Sequence, residues 1–281
     1  MNFTTYNQFS LPSFMYGTAW KKDATARLVE LAVETGFKAI DTANQKIHYQ
    51  EVLVGEGILA LKKKGIGRDQ LFLQTKFTSI TGQGSGPAPY DPSADFTTQV
   101  NQSFASSLEH LHTDHLDSYV LHGPTYRRGL SPGDWEVWAA MEALYGAKKT
   151  RILGVSNVTA EQLALLCSKA KVKPMLVQNR CYAVMGWDSE VRQICRDQGI
   201  VYEGFSLLTA NEEFLMSPQV QAIADRVGAG AGPVIFRFSQ QIGMLPLTGT
   251  TNAQHMKEDL ACETFTLTPQ ELKQIETIGL E

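Results

Sequence analysis

Short apolar or β-branched runs alternate with longer segments of helical spacing along nearly the whole chain, and this rhythm limits the fold more than any other feature. Parallel strands need a crossover between them, so a strand–helix–strand repeat reads as βαβ units. Strands are expected near residues 14–18, 37–41, 71–76, 116–122, 152–156, 175–179, 201–206 and 244–248. Helices are expected near 25–35, 51–63, 96–110, 134–148, 160–168, 189–198, 218–226 and 253–261, with accessory helices near 233–241 and 269–278. Gly36, Gly65 and Gly199 stand at helix ends where a left-handed cap is wanted. The competing architecture is a doubly wound sheet, whose glycine fingerprint would follow the first strand; here that place reads Gly17-Thr18-Ala19-Trp20. An α/β chain of 281 residues with eight such units is therefore expected to form one (β/α)8 TIM barrel domain over residues 1–281.

Two segments interrupt the rhythm. Residues 81–92 are rich in glycine and proline and read as a loop after the third strand. No Lys-Ser or Lys-Thr follows, so a flap over the barrel mouth is expected rather than a phosphate cradle. Residues 228–233 read as a linker between helices.

The net charge of −4 leaves no basic surplus for a phosphate backbone, and Lys62-Lys63-Lys64 reads as a solvated helix end, so no nucleic-acid partner is expected. The first residues lack a basic segment followed by an apolar stretch, and no eighteen apolar residues run together, so a cytoplasmic protein without a membrane partner is expected. Cys167, Cys181, Cys195 and Cys262 form no CxxC pair and read as reduced thiols. His110, His112, Asp114 and His115 fall at a helix end and the following turn, where the helix dipole explains histidine, so no metal is expected. The oligomeric state is not fixed by these features; a monomer is compatible with them.

In a parallel barrel, side chains at the carboxyl ends of the strands converge on one mouth. Polar residues ending otherwise apolar strands are therefore the natural candidates for chemistry, and three qualify: Asp41, Lys76 and His122. Singly, each has an ordinary explanation as a cap, a snorkelling amine or a core histidine. Together they are harder to dismiss, because a buried lysine is costly unless a carboxylate pairs with it, and Asp41 and Lys76 fall on neighbouring strands.

The runs Gly36-Phe37-Lys38-Ala39-Ile40-Asp41-Thr42-Ala43, then Lys76, then Leu116-Asp117-Ser118-Tyr119-Val120-Leu121-His122-Gly123-Pro124 resemble the aldo-keto reductases. Further matches follow in order: Ile152-Leu153-Gly154-Val155-Ser156-Asn157, Val177-Gln178-Asn179, and Phe205-Ser206-Leu207-Leu208. The resemblance implies a carbonyl reductase that uses NADPH, with NADH as the other possibility, and a tyrosine as general acid. A nearby ammonium, oriented by a carboxylate, eases proton release from a phenol, the role implied for Lys76 and Asp41. His122 is implied to orient the carbonyl. The family's tyrosine lies five residues beyond the aspartate, which is Lys46 here; counted back from Val54-Gly55 it falls on His48. Tyr49 is the nearby phenol and is the candidate acid.

For the cofactor, the resemblance implies Ser156, Asn157 and Gln178 around the carboxamide, Phe205 with Ser206 and Leu208 along the nicotinamide, and Thr18 and Ala19 beside Asp41. At the other end it implies Thr248, Gly249, Thr250, His255, Glu258 and Asp259, with free amides ahead of the last barrel helix ready for a phosphate and Asn252 as its cap. The lysine and arginine that hold the 2′-phosphate in the family fall here on Gly249 and His255, leaving Lys257 as a partial substitute. A small carbonyl substrate is expected to meet Trp20, Tyr49 and His122, walled by the flap around Tyr90 and by Tyr126, Arg127 and Arg128. Two other functions fit some of these residues: a dinucleotide-binding regulatory or redox-sensing barrel with little turnover, and a lyase or isomerase using Lys76 as an amine nucleophile.

Overall fold

The computed structural model describes residues 3–84 and 86–280. Eight parallel strands close into a barrel: β1 (Met15–Gly17), β2 (Ala39–Asp41), β3 (Phe72–Phe77), β4 (Leu116–Leu121), β5 (Thr150–Ser156), β6 (Leu176–Arg180), β7 (Val201–Phe205) and β8 (Met244–Thr248). Each pairs with the next in chain order, and β8 returns to β1. Around them run α1 (Thr25–Thr35), α2 (Glu51–Lys63), α3 (Phe96–His110), α4 (Pro132–Gly146), α5 (Ala160–Lys169), α6 (Ser189–Gln198), α7 (Pro218–Val227), α8 (Ala231–Gln241), α9 (Ala253–Leu260) and α10 (Pro269–Thr277).

The period-two alternation of each strand sorts its residues into two cores. Tyr16, Ile40, Leu73, Tyr119, Leu153, Val177 and Tyr202 join helix residues such as Leu28, Val54, Ile58, Val137, Leu163 and Val191 in the shell between strands and helices. Met15, Ala39, Phe72, Val120, Ile152, Leu176 and Leu245 form a second, inner cluster. A two-stranded antiparallel hairpin, Phe3–Thr4 with Ser10–Leu11, contributes Phe3 and Leu11 to that inner cluster and so closes the amino-terminal end of the barrel. Two residues further along the strands the inward positions become polar: Asp41 pairs in register with Gln74, and Ser156, Gln178 and Glu203 follow one another across β5, β6 and β7. The barrel is thus apolar at its base and polar near its mouth.

Local chemistry accounts for the differences between expected and observed boundaries. The fourth barrel helix starts at Pro132 rather than 134, because Ser131 is its cap and Asp134 closes a capping box with it. All three glycines expected at helix ends take positive φ, 129° at Gly36, 89° at Gly65 and 66° at Gly199, the last in the left-handed helical conformation. Segment 81–92 is not loop throughout, since a helical turn at Ile80–Gln83 reaches into it. Helix α8 begins at Ala231, so the expected linker shortens to residues 228–230. All four cysteines are free thiols, three of them buried. Among the described residues no helix is long and apolar enough to cross a membrane.

Helix α2 crosses the end of α3 so closely that a Cβ on Gly55 would lie 1.8 Å from the carbonyl oxygen of His110. Backbone cannot step aside as a side chain can. Gly55→Ala is therefore expected to destabilise the protein by about 1–3 kcal/mol, read as a lower urea midpoint with an unchanged slope.

Candidate active site

A cavity of about 880 Å³ opens at the carboxyl ends of the strands, as the barrel geometry dictates. Its wall carries Asp41, Tyr49 and His122 together with residues of β8 and α9. Lys76 reaches the site from behind: its side chain is fully buried and is not part of the wall.

The Lys76 ammonium donates to Asp41 Oδ1 at 2.6 Å and to the Thr42 carbonyl at 2.8 Å. The same Oδ1 accepts from the amide nitrogens of Gln74 at 2.9 Å and Gln178 at 3.1 Å. The backbone of β2 is fixed in turn by Thr18, whose amide and hydroxyl both donate to the Asp41 carbonyl. Thr18 does not face the cavity, a correction to its expected place beside the cofactor; its hydrogen bonds hold Asp41 instead. Burial pulls the ammonium's affinity for its proton down, but Asp41, with Tyr49 and Glu203, together more than offset this and the Lys76 pKa is raised.

Tyr49 sits in front of this pair, its ring centroid 5.1 Å from Lys76 Nζ and 6.0 Å from the His122 ring. His48 also lines the cavity and packs on Trp20, ring centroids 4.2 Å apart, and Lys46 is exposed. Burial raises the Tyr49 pKa and Lys76 pulls against it; burial wins, so the phenol keeps its proton at neutral pH. His122 is held by Thr78 Oγ1, 2.7 Å from Nδ1, and burial with the positive charge of Lys76 lowers its pKa to about 3, leaving a neutral imidazole.

Ala19, Ser156, Asn157, Gln178, Phe205, Ser206, Leu208, Thr248, Gly249, Thr250, His255, Glu258 and Asp259 all line the cavity. Three non-glycine wall residues take positive φ: Trp20 at 64°, Asn157 at 56° and Ser206 at 57°. Such conformations cost about 1–3 kcal/mol each and gather at functional sites. Asn157 spends its amide on the His122 carbonyl and Ser156, which leaves its oxygen as acceptor. The amides expected to be free at α9 are partly taken, since Asn252 Oδ1 accepts from Gln254 and His255. The Thr248 hydroxyl is likewise bonded to Asp259.

Several wall residues escaped the sequence reading. Lys21 donates to the Gly249 carbonyl; Arg180 ends β6; Gly230 and Gly232 lie at the start of α8, which has no side-chain cap. Arg180 obeys the strand-end rule and could have been found by it; Lys21, four residues past the end of β1, could not. On the substrate side, Trp20 is 65% exposed at the mouth. Tyr90, however, is buried, stacks on Phe77 and donates to the Thr78 carbonyl, while Tyr126, Arg127 and Arg128 also stand off the wall. The histidines near the end of α3 are occupied locally, His110 with Glu51 and His115 with Asp114.

The sequence model of the aldo/keto reductase family matches residues 13–279. The chain belongs to that family. Members are oxidoreductases acting on carbonyl compounds and generally use NAD(P)H. The 9,11-endoperoxide prostaglandin H2 reductase of Trypanosoma cruzi is 28% identical over 280 residues, covering 98% of this chain and 90% of its own. The glyoxal reductase of Bacillus subtilis is 29% identical over 251 residues, 89% of this chain and 82% of its own. In three dimensions, an aldo/keto reductase from Brucella melitensis superposes with a TM-score of 0.84 at 24% identity over 99% of both chains. The aldose reductase of Schistosoma japonicum gives 0.85 at 19% identity, covering all of this chain and 93% of its own.

The cavity suits the family's cofactor. Asn157 and Gln178 have their amide nitrogens engaged and keep their amide oxygens as acceptors for a carboxamide, Phe205 offers a flat face, and Lys21 with the uncapped start of α8 positive potential for phosphate. Gly17, Gly230, Gly232 and Gly249 keep Cβ volume out of the wall.

The buried carboxyl of Asp259 has its pKa raised to about 6 by desolvation, against 3.8 in the open chain. An acid with a raised folded pKa contributes stability below the unfolded value that is lost as pH rises through the folded one. Asp259→Asn should therefore gain stability relative to the parent between pH 4 and 7, by about 1–3 kcal/mol, measured by urea unfolding at both pH values.

Proposed function

We propose that the protein reduces aldehydes or ketones to alcohols, with Tyr49 as general acid, Lys76 and Asp41 as its supporting pair and His122 as the carbonyl-orienting donor. NADPH, when bound, supplies the hydride. The observation that carries the reading is the approach of the Tyr49 ring to Lys76 behind it and to His122 beside it, whereas His48, which also lines the cavity, packs on Trp20.

A carbonyl oxygen entering past Trp20 meets two donors. With the Thr78 hydroxyl donating to Nδ1 of His122, the neutral ring presents Nε2–H to the oxygen and fixes its direction without acting as an acid. The Tyr49 hydroxyl gives its proton to that oxygen as negative charge develops. The Lys76 ammonium lowers the cost of the phenolate left behind, and Asp41 with Thr42 keeps the ammonium aimed. Lys76 is spent on these bonds and set behind the wall, which disfavours its use as an amine nucleophile.

Ser156, Asn157, Gln178 and Phe205 would hold the nicotinamide end, with Lys21, Thr248, Gly249, Thr250, His255, Glu258 and Asp259 toward the adenosine end. The reading is of a cytoplasmic enzyme for small-molecule carbonyls, of the kind named by the glyoxal reductase relative.

Tyr49→Phe is expected to cut turnover by about 10²–10⁴-fold while dinucleotide binding, followed by tryptophan fluorescence, is retained. His48→Ala should keep most of the activity. Parental turnover in Tyr49→Phe together with an inactive His48→Ala would transfer the acid role to His48.

A further inference from the structure

Behind the Asp41–Lys76 pair lies a second carboxyl that the proposed chemistry does not use. Glu203, at the centre of β7, points into the barrel and is fully buried. Its Oε2 accepts from Gln74 Nε2 at 2.9 Å and its Oε1 from Gln178 Nε2 at 2.7 Å. Each of those amide nitrogens also donates to Asp41 Oδ1. Two amides therefore bridge the two acids, and every bridging proton is used.

We propose that Glu203 is a positioning residue for carbonyl reduction, acting on Lys76 and Tyr49 through the Asp41 carboxylate and the two amide bridges. The proposal rests on the assignment of Tyr49 as acid.

The argument is one of charge. The charged and titratable groups facing Glu203 are Asp41 from β2, Lys76 from β3 and Tyr49 from the loop beyond β2; β6 presents the Gln178 amide and β8 the apolar Leu245. One cation serves two carboxyls. An ionised Glu203 would leave the sealed layer with a net negative charge, which low polarizability penalises. A protonated Glu203 makes the layer neutral. Desolvation and the nearby Asp41 accordingly raise the Glu203 pKa to about 8.

The consequence reaches the phenol. When Glu203 loses its proton, the added negative charge tightens the hold on the Lys76 proton and raises the Tyr49 pKa further. Glu203 thus keeps the lysine free to assist the tyrosine near neutrality and withdraws that help in alkali.

Two measurements test this. Infrared difference spectra of the wild-type enzyme between pH 7 and pH 9 should show a protonated carboxylic acid carbonyl band disappearing, and Glu203→Gln should lack the band. In alcohol oxidation, where Tyr49 must first be ionised, the rising limb of kcat against pH should move down by about one pH unit in Glu203→Gln. A purely structural Glu203 would change stability and leave that limb in place. No titrating band in the wild type, or an unmoved limb in a folded variant, overturns the proposal. The infrared result needs no variant and no turnover, so its failure is distinct from failure of the Tyr49 assignment, which Tyr49→Phe tests alone.

Discussion

The Lys76 ammonium lies out of solvent in the interior of a barrel, and much of the surrounding arrangement follows from keeping it there. Desolvating an ammonium and a carboxylate costs several kcal/mol per ion, recovered only when geometry is close and the remaining hydrogen-bonding capacity is filled. Here Asp41 Oδ1 accepts from the ammonium and from two amides, and Lys76 has Thr42 as a second acceptor. The polar layer is built around that pair. Its members come from β2, β3, β6 and β7, so a shift of any one strand would break it.

Placement of the layer is a matter of barrel geometry. Inward positions near the strand starts carry Met15, Ala39, Phe72, Ile152, Leu176 and Leu245, sealed from below by Phe3 and Leu11. This apolar plug keeps water from the underside of the ion pair, which strengthens its electrostatics. Above the layer the wall is strained rather than packed, with Trp20, Asn157 and Ser206 in left-handed backbone. Stability from below supports a mouth whose conformation is costly by itself.

Most of the fold was legible because its signals are local. The eight strands and the cores of the ten helices follow from periodicity, and α1, α2, α3 and α6 end where the spacing said they would. The convergence of Asp41, Lys76 and His122 was legible for the same reason: they stand at or next to the ends of apolar strands. What failed depends on side-chain direction. Tyr90 looked like a flap residue but turns inward to Thr78, and Thr18 spends its hydroxyl on Asp41 rather than the cavity. Glu203 was passed over because it stands in mid-strand, where the strand-end rule does not look; an acid flanked by Tyr202 and Gly204 was the available clue. Arg180 met the rule and was missed beside more familiar neighbours.

The account turns on whether the buried ammonium serves the phenol in front of it. Stopped-flow measurement of a single turnover with saturating NADPH in Lys76→Met, checked for folding by circular dichroism, tests this most directly. Dinucleotide should still bind, and the hydride-transfer phase should slow by about 100-fold or more. Transfer at the parental rate in a folded, dinucleotide-loaded variant would contradict the account.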